Sequence, residues 1–183
     1  TFTIAVTTIT SEASVAAGTL EYCQNTTALP LTATPSNGSY SLYYYLTGST
    51  AAQPTIVPST AVPGVFTYEV AEGPSSTCIS LSRATIEVTI LEAPTLTVTP
   101  EQPLCFGQTG SVALASSGGN GTLTYSAINP ATSGLAAGSY TYSVSDSENC
   151  RAIATAVINA APAQPAQPQI ECWETATWNS ITC

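Results

Sequence analysis

The chain contains no His, no Lys and no Met, and charged residues make up only 7% of its 183 residues. Without His, a Ser-His-Asp triad and the commonest metal ligand are both excluded. Without Lys, no side-chain amine is present to activate the abundant Ser and Thr hydroxyls. The absence of Met also indicates a segment of a longer protein or a processed product. We therefore predict that the protein is not an enzyme and has no catalytic residues.

Positive charge is almost absent. Two basic residues stand against eleven acidic ones, which gives a formal net charge of -9. Such a chain cannot neutralise a phosphate backbone, so nucleic-acid binding is excluded, and anionic membrane surfaces are disfavoured for the same reason. No apolar run is long enough to span a bilayer as a helix.

Carboxylates are the one remaining source of acid–base chemistry. Glu69 with Glu72, or Glu171 with Glu174, could in principle flank a glycosidic bond. Both pairs fall at strand ends or joints of an all-β pattern. We expect them to be solvated surface groups.

Strand-forming residues dominate what is present. Thr, Val, Ile and Tyr recur in short alternating runs that Gly, Pro, Asn and Ser interrupt, as in 84–90 (ATIEVTI). The Ala-rich segment 152–163 is the main competing candidate for a helix. Its β-branched residues, such as Ile153 and Val157, favour a strand instead. The sequence predicts an all-β protein.

An internal repeat organises the chain. Segment 64–70 (GVFTYEV) matches 138–144 (GSYTYSV), and each is followed by a Cys, an Arg-Ala pair and an alternating run that ends in Ile. We predict tandem small immunoglobulin-like antiparallel β-sandwich repeats. The predicted boundaries are 1–17 for the last strand of a preceding repeat plus linker, 18–91 for an immunoglobulin-like repeat, 92–160 for a second repeat, 161–169 for a Pro-containing linker and 170–183 for the start of a further repeat.

Six Cys, an even count in a Thr- and Ser-rich chain, favour disulfides in an oxidising compartment. Each repeat has one Cys near its start and one after its Tyr-containing strand. The repeat therefore predicts Cys23–Cys78 and Cys105–Cys150, which leaves Cys172–Cys183 as a short loop. A disulfide would add needed stability to units of this size, since their hydrophobic cores are small.

Candidate ligand contacts are few. In the run 43–45 (YYY), Tyr43 and Tyr45 share one face of a strand and could stack on a sugar, although core packing is the more common role of such residues. Asn120 lies in a Gly-rich loop and is a further possible contact. For metals, only calcium is considered. Its acidic ligands would have to come from Glu92, Glu101, Asp146 and Glu148. No cofactor is predicted, and calcium stays an open alternative.

Two Asn-Gly pairs, Asn37-Gly38 and Asn120-Gly121, predict tight turns between strands. Together with Asn25, these asparagines also fit the Asn-x-Ser/Thr pattern of N-glycosylation acceptors. That pattern arises often by chance in a chain rich in Ser and Thr. Turn formation is sufficient reason for both Asn-Gly pairs.

The second repeat contains an ordered set of motifs over about 60 residues. They are 105–110 (CFGQTG), 118–121 (GGNG), Tyr125, 135–144 (LAAGSYTYSV) and 145–150 (SDSENC). In these motifs and their order, the second repeat resembles the SprB repeat of bacterial cell-surface proteins. The first repeat is similar to the immunoglobulin-like modules of the same proteins. It departs from the Val-x-Asp step, because Val70 is followed by Ala71 and Glu72.

Such repeats occur in very large Bacteroidota adhesins that the type IX secretion system exports and that serve gliding motility. The resemblance implies an extracellular, cell-surface stalk. Its implied partners are neighbouring repeats, an external surface or polysaccharide, and the secretion and motility machinery. It implies no catalytic or ligand-binding residues. Three alternatives stay open, namely a carbohydrate-binding module, a pilus-like subunit that polymerises by strand exchange through 2–6, and an appended domain of a secreted hydrolase.

Overall fold

The computed structural model describes residues 8–15 and 20–166, and every regular element in these two ranges is a β-strand. The all-β prediction is therefore confirmed, and the Ala-rich segment forms a strand as far as Ile158. The strands are β1 Ser14–Val15, β2 Leu20–Cys23, β3 Ala33–Thr34, β4 Ser41–Leu46, β5 Gly64–Gly73, β6 Ala84–Leu91, β7 Pro94–Glu101, β8 Ser111–Gly118, β9 Thr124–Tyr125, β10 Gly138–Ser145 and β11 Arg151–Ile158.

The chain divides into two compact units, Thr1–Ala93 and Pro94–Cys183, here called unit one and unit two. The division lies next to the boundary that the repeat predicts after Leu91. Each unit has its own sheets and its own core of buried apolar residues.

Unit one contains a four-stranded sheet in the order β2-β6-β5-β4 and a small sheet of β1 with β3. The predicted purely antiparallel pairing is wrong here, because β2 runs parallel to β6. A parallel pair needs a long crossover between its strands. The chain between Cys23 and Ala84 supplies it and forms β4 and β5 on the way.

Alternation along the strands builds the core of unit one. Val70 and Val88 are completely buried, and Ile86 and Ile90 lie on the same inward face. Residues of the crossover and of the preceding segment cover this face, among them Leu31, Ile56 and Ala13.

Residues 8–15 pack within unit one, although 1–17 was predicted as the last strand of a preceding repeat plus linker; the predicted strand at 2–6 lies outside the described residues. Ala13 enters the core of unit one, and β1 pairs with β3. The carbonyl of Ile9 accepts a hydrogen bond from the N–H of Leu81 at 3.2 Å. The sequence alone missed these contacts because they join positions far apart in the chain.

Unit two packs the antiparallel pair β7-β8 against the antiparallel sheet β11-β10-β9. Its core takes residues from both sheets, since Val112 of β8 packs with Tyr142 of β10 and with Ala156 and Ile158 of β11. This is a two-layer arrangement with the hydrophobic faces turned inward.

The matching segments of the repeat form matching hairpins. In β5–β6, Val70 pairs with Ala84, and in β10–β11, Val144 pairs with Ala152. Both valines are completely buried. The sequence repeat is therefore a repeat of strand register as well.

The predicted Cys23–Cys78 disulfide is wrong. Cys78 is an exposed free thiol, whereas Cys23 is disulfide-bonded. Cys23 pairs with Leu91 at one end of β6, whereas Cys78 contacts Gly73 near the opposite end. A strand of this length spans about 23 Å, and bonded cysteines need Cα atoms within about 7 Å.

The predicted Cys105–Cys150 pairing fails for the same reason, although both residues are disulfide-bonded. Cys150 directly precedes β11. Cys105 follows Gln102, whose side chain binds the carbonyl of Val157 and the N–H of Asn159 at the far end of that strand. The chain from Gln102 to Cys105 reaches about 11 Å at most, against a strand of about 23 Å. The predicted Cys172–Cys183 bond lies outside the described residues.

We expect the exposed Cys78 thiol to react with a maleimide in the native, non-reduced protein. Replacing Cys78 with Ser should leave the free energy of unfolding unchanged within about 0.5 kcal/mol, because no disulfide is lost. Mass spectrometry of the labelled chain and urea unfolding of the variant test both expectations. An unlabelled Cys78 together with a strongly destabilised variant would restore the pairing that the repeat suggests.

Candidate functional site: two buried carboxylates

Asp146 lies in the turn that connects β10 to β11, and only 6% of it is exposed. One carboxylate oxygen, Oδ1, accepts the backbone N–H groups of Glu148 at 3.0 Å and of Cys150 at 2.8 Å. Asn149 adopts a left-handed conformation with φ of 65°, which Asn tolerates better than most residues. The buried carboxylate thus stabilises the hairpin turn by accepting hydrogen bonds from the backbone of that turn.

The other oxygen of Asp146, Oδ2, binds a second loop. It accepts the backbone N–H of Asn120 at 2.8 Å and the side-chain amide of Asn120 at 3.2 Å. Two contacts of Ser147 reinforce the junction: its hydroxyl accepts the N–H of Thr122, and its N–H donates to the carbonyl of Asn120. The segments 118–121 and 145–150, which are separate motifs in the sequence, therefore form one interlocked structure.

Gly119 is required at this junction. Its φ is 74°, and an added Cβ would lie 3.1 Å from Oδ2 of Asp146 and 3.2 Å from the side chain of Pro94. A side chain would thus meet both backbone strain and close packing. The Gly-Gly-x-Gly pattern follows from the need to bring the loop backbone up to the carboxylate.

Glu72 is the corresponding carboxylate of unit one. It is completely buried, contrary to the prediction of a solvated surface group. The hydroxyl of Ser11 donates to Oε1 at 2.8 Å, and Ser36 donates its backbone N–H to Oε2 at 2.6 Å and its hydroxyl to Oε1. The backbone of Glu72 is held as well, since its carbonyl accepts the N–H of Ser80 at 2.7 Å.

The two carboxylates occupy matching positions of the repeat. Each follows a completely buried valine by one intervening residue, Val70 for Glu72 and Val144 for Asp146. The sequence comparison counted Glu72 as a departure from the Val-x-Asp step. The structure places a buried acid at that step in both units. The longer Glu side chain reaches hydroxyls from distant segments, whereas the shorter Asp serves its own turn and one loop.

Hydrogen bonds decide the charge state of both groups. Burial raises the pKa of Glu72, but the hydrogen bonds from Ser36 and Ser11 outweigh it and hold this pKa below the ordinary 4.5. For Asp146, burial likewise raises the pKa, and the N–H donors of Asn120, Cys150 and Glu148 bring it below the ordinary 3.8. Both side chains therefore remain ionised at neutral pH.

These lowered pKa values predict acid sensitivity. A carboxyl group whose pKa is lower in the folded state contributes stability above its unfolded pKa and loses it as pH falls through the folded value. Stability from Glu72 and Asp146 should therefore be fully present above pH 4.5 and decline at lower pH. Urea unfolding between pH 7 and pH 2 measures this loss. A flat profile below pH 4.5 would contradict the prediction.

The tyrosine run does not form an open platform. Tyr44 lies in the core of unit one, and Tyr45, on the opposite face, is only 2% exposed. The guanidinium of Arg83 covers the ring of Tyr45 at 3.7 Å from its centre and donates to Glu69 at 2.8 Å. A sugar could not stack on that ring without displacing Arg83. Tyr43 is half-buried on the same strand.

Asn120 is half-buried and already engaged within unit two, since its backbone and side-chain amides both bind Asp146. Asp146 is also unsuited to act as a calcium ligand. Calcium needs oxygen lone pairs, and four N–H donors already point at the two oxygens of Asp146. Within the described ranges, no three metal-ligating residues lie close enough to hold an ion.

No family model matches the chain, and no curated protein matches it. In the described ranges there is no helix long and apolar enough to cross a membrane. The bonded cysteines are consistent with an oxidising environment.

Proposed function

We propose that this chain is a structural and adhesive repeat segment of a large secreted cell-surface adhesin, built from tandem immunoglobulin-like β-sandwiches. One observation carries the proposal. The same hairpin register with a buried carboxylate at the same step occurs in two successive units. Such repetition is typical of modules that set length and present a surface.

The use of the polar groups supports a structural role. Asp146 and Glu72 accept their hydrogen bonds from the turn, the loop and the segments that close each unit. The hydrogen-bond network therefore holds the fold together, which suits a stalk that must stay folded outside the cell.

The resemblance of unit two to SprB repeats supports the finer proposal. Under it, the chain is extracellular, is exported by a type IX secretion system and serves surface attachment in gliding motility. Neighbouring repeats and an external surface or polysaccharide are its partners. The structure adds a reason for the shared motifs, because the Gly-Gly-x-Gly loop and the Asp-containing turn are the two halves of one junction.

Protease shaving of intact cells tests this proposal. An antibody raised against the segment should detect a polypeptide far larger than 18.7 kDa that disappears when intact cells are treated with protease. A cytoplasmic protein detected on the same blots serves as the control for intact cells. A product near 18.7 kDa, or one that the protease cannot reach, would overturn the adhesin proposal.

A further inference from the structure

The turn between β3 and β4 contains an exposed Asn-Gly pair. The side-chain oxygen of Asn37 accepts the N–H of Ser39 at 3.0 Å, and its carbonyl accepts the N–H of Tyr40 at 2.9 Å. The first hydrogen bond folds the Asn side chain back over the following peptide and polarises its amide carbonyl. The ring that this hydrogen bond closes contains both the electrophilic carbon, Cγ, and the Gly38 nitrogen.

The turn around Gly38 is uncrowded. No heavy atom lies within 4 Å of the position that a Cβ would take, and φ is not in the left-handed region. Asn37 and Ser39 are exposed as well, so that water reaches the turn.

We propose that Asn37 is a site of spontaneous covalent modification, at which Gly38 converts it through a cyclic imide. The Gly38 nitrogen loses its proton to hydroxide and forms a bond to Cγ, and the side-chain nitrogen leaves as ammonia. Water then opens the ring at one of its two carbonyls. The product is an aspartate or an isoaspartate, and no oxidant or enzyme is needed.

Unit two contains a second Asn-Gly pair with which the reactivity of Asn37 can be compared. Asn120-Gly121 has the same sequence pair, but Asn120 donates both of its amides to Asp146. An added Cβ on Gly121 would lie 2.7 Å from the Ser147 hydroxyl. Hydrogen bonds to a charged acceptor must break before Asn120 can react, so we expect its conversion to be slower by about tenfold or more.

The modification would act on the buried carboxylate of unit one. Ser36, directly before Asn37, donates its N–H and its hydroxyl to Glu72. An isoaspartate adds one carbon to the backbone next to Ser36, whereas an ordinary aspartate does not. The isoaspartate product should therefore loosen the Glu72 contacts, while Asn37→Asp should leave them in place.

The experiment follows both asparagines in the purified, non-reduced chain during incubation at mildly alkaline pH. Peptide mass spectrometry, with isoaspartate identified by its fragment ions, should show conversion at Asn37 about tenfold or more ahead of Asn120. In urea, where the hydrogen bonds are lost, the two rates should converge. Gly38→Ala, which fits the open turn, should suppress conversion without lowering the free energy of unfolding.

Three results would overturn the proposal. These are equal native rates at the two asparagines, no native conversion at Asn37 while the unfolded chain reacts, and unchanged conversion in Gly38→Ala. Hydrogen exchange of the Ser36 amide tests the consequence for Glu72. It should rise in the isoaspartate product and stay unchanged in Asn37→Asp, and an equal rise in both would contradict the mechanism.

Discussion

Replacing Asp146 with Ala should destabilise unit two by about 3 kcal/mol or more, the largest single effect that we expect. The substitution leaves the N–H groups of Cys150 and Asn120 without their acceptor, and each buried, unsatisfied donor costs about 1–3 kcal/mol. Urea unfolding of the whole chain measures the loss. Hydrogen exchange of the β10 and β11 amides assigns it to unit two.

Glu148→Ala is the matched control, since Glu148 lies in the same turn and also carries a negative charge, but its side chain is exposed. It should change stability by less than about 0.5 kcal/mol. The amides of β5 and β6 should exchange as in the parent protein. If Asp146→Ala and Glu148→Ala behaved alike, Asp146 would not be the anchor of the junction.

Replacing Glu72 with Ala should have the second largest effect, a loss of about 2–3 kcal/mol in unit one. The N–H and hydroxyl of Ser36 and the hydroxyl of Ser11 lose their acceptor, and a small cavity forms. Because a hydroxyl can rotate towards another partner, we expect a smaller loss than at Asp146. Urea unfolding, with exchange at β5 and β6, measures it.

Glu87→Ala is the control for this variant, because Glu87 lies on the neighbouring strand β6 with an exposed side chain. Its replacement should be nearly neutral, within about 0.5 kcal/mol. Glu72→Ala should also flatten the pH dependence of unit one below pH 4.5, since the group that titrates is gone. Unchanged acid sensitivity would assign that sensitivity to other carboxyl groups.

The all-β fold was predictable from the sequence. Of the candidate site, the sequence singled out Asp146 and Asn120 but predicted neither their contact nor the burial of Glu72. The repeat places Asp146 in a Val-x-Asp step and Asn120 in a Gly-rich loop, yet no pattern says that the two residues meet. Glu72 was interpreted as a surface charge because acids are rarely buried. The nearest clue was its spacing from Val70, which equals that of Asp146 from Val144.

Local chemistry is what the sequence by itself determined: strands where β-branched and aromatic residues alternate, turns at Asn-Gly, and a repeated hairpin register. The tertiary structure decided the long-range pairings. It made β2 parallel to β6, attached residues 8–15 to unit one, and left Cys78 unbonded. The physical reason is that alternation fixes which face a residue takes, whereas the end of the sheet at which it lies depends on strand direction. The first and second Cys of one repeat can therefore lie a full strand length apart.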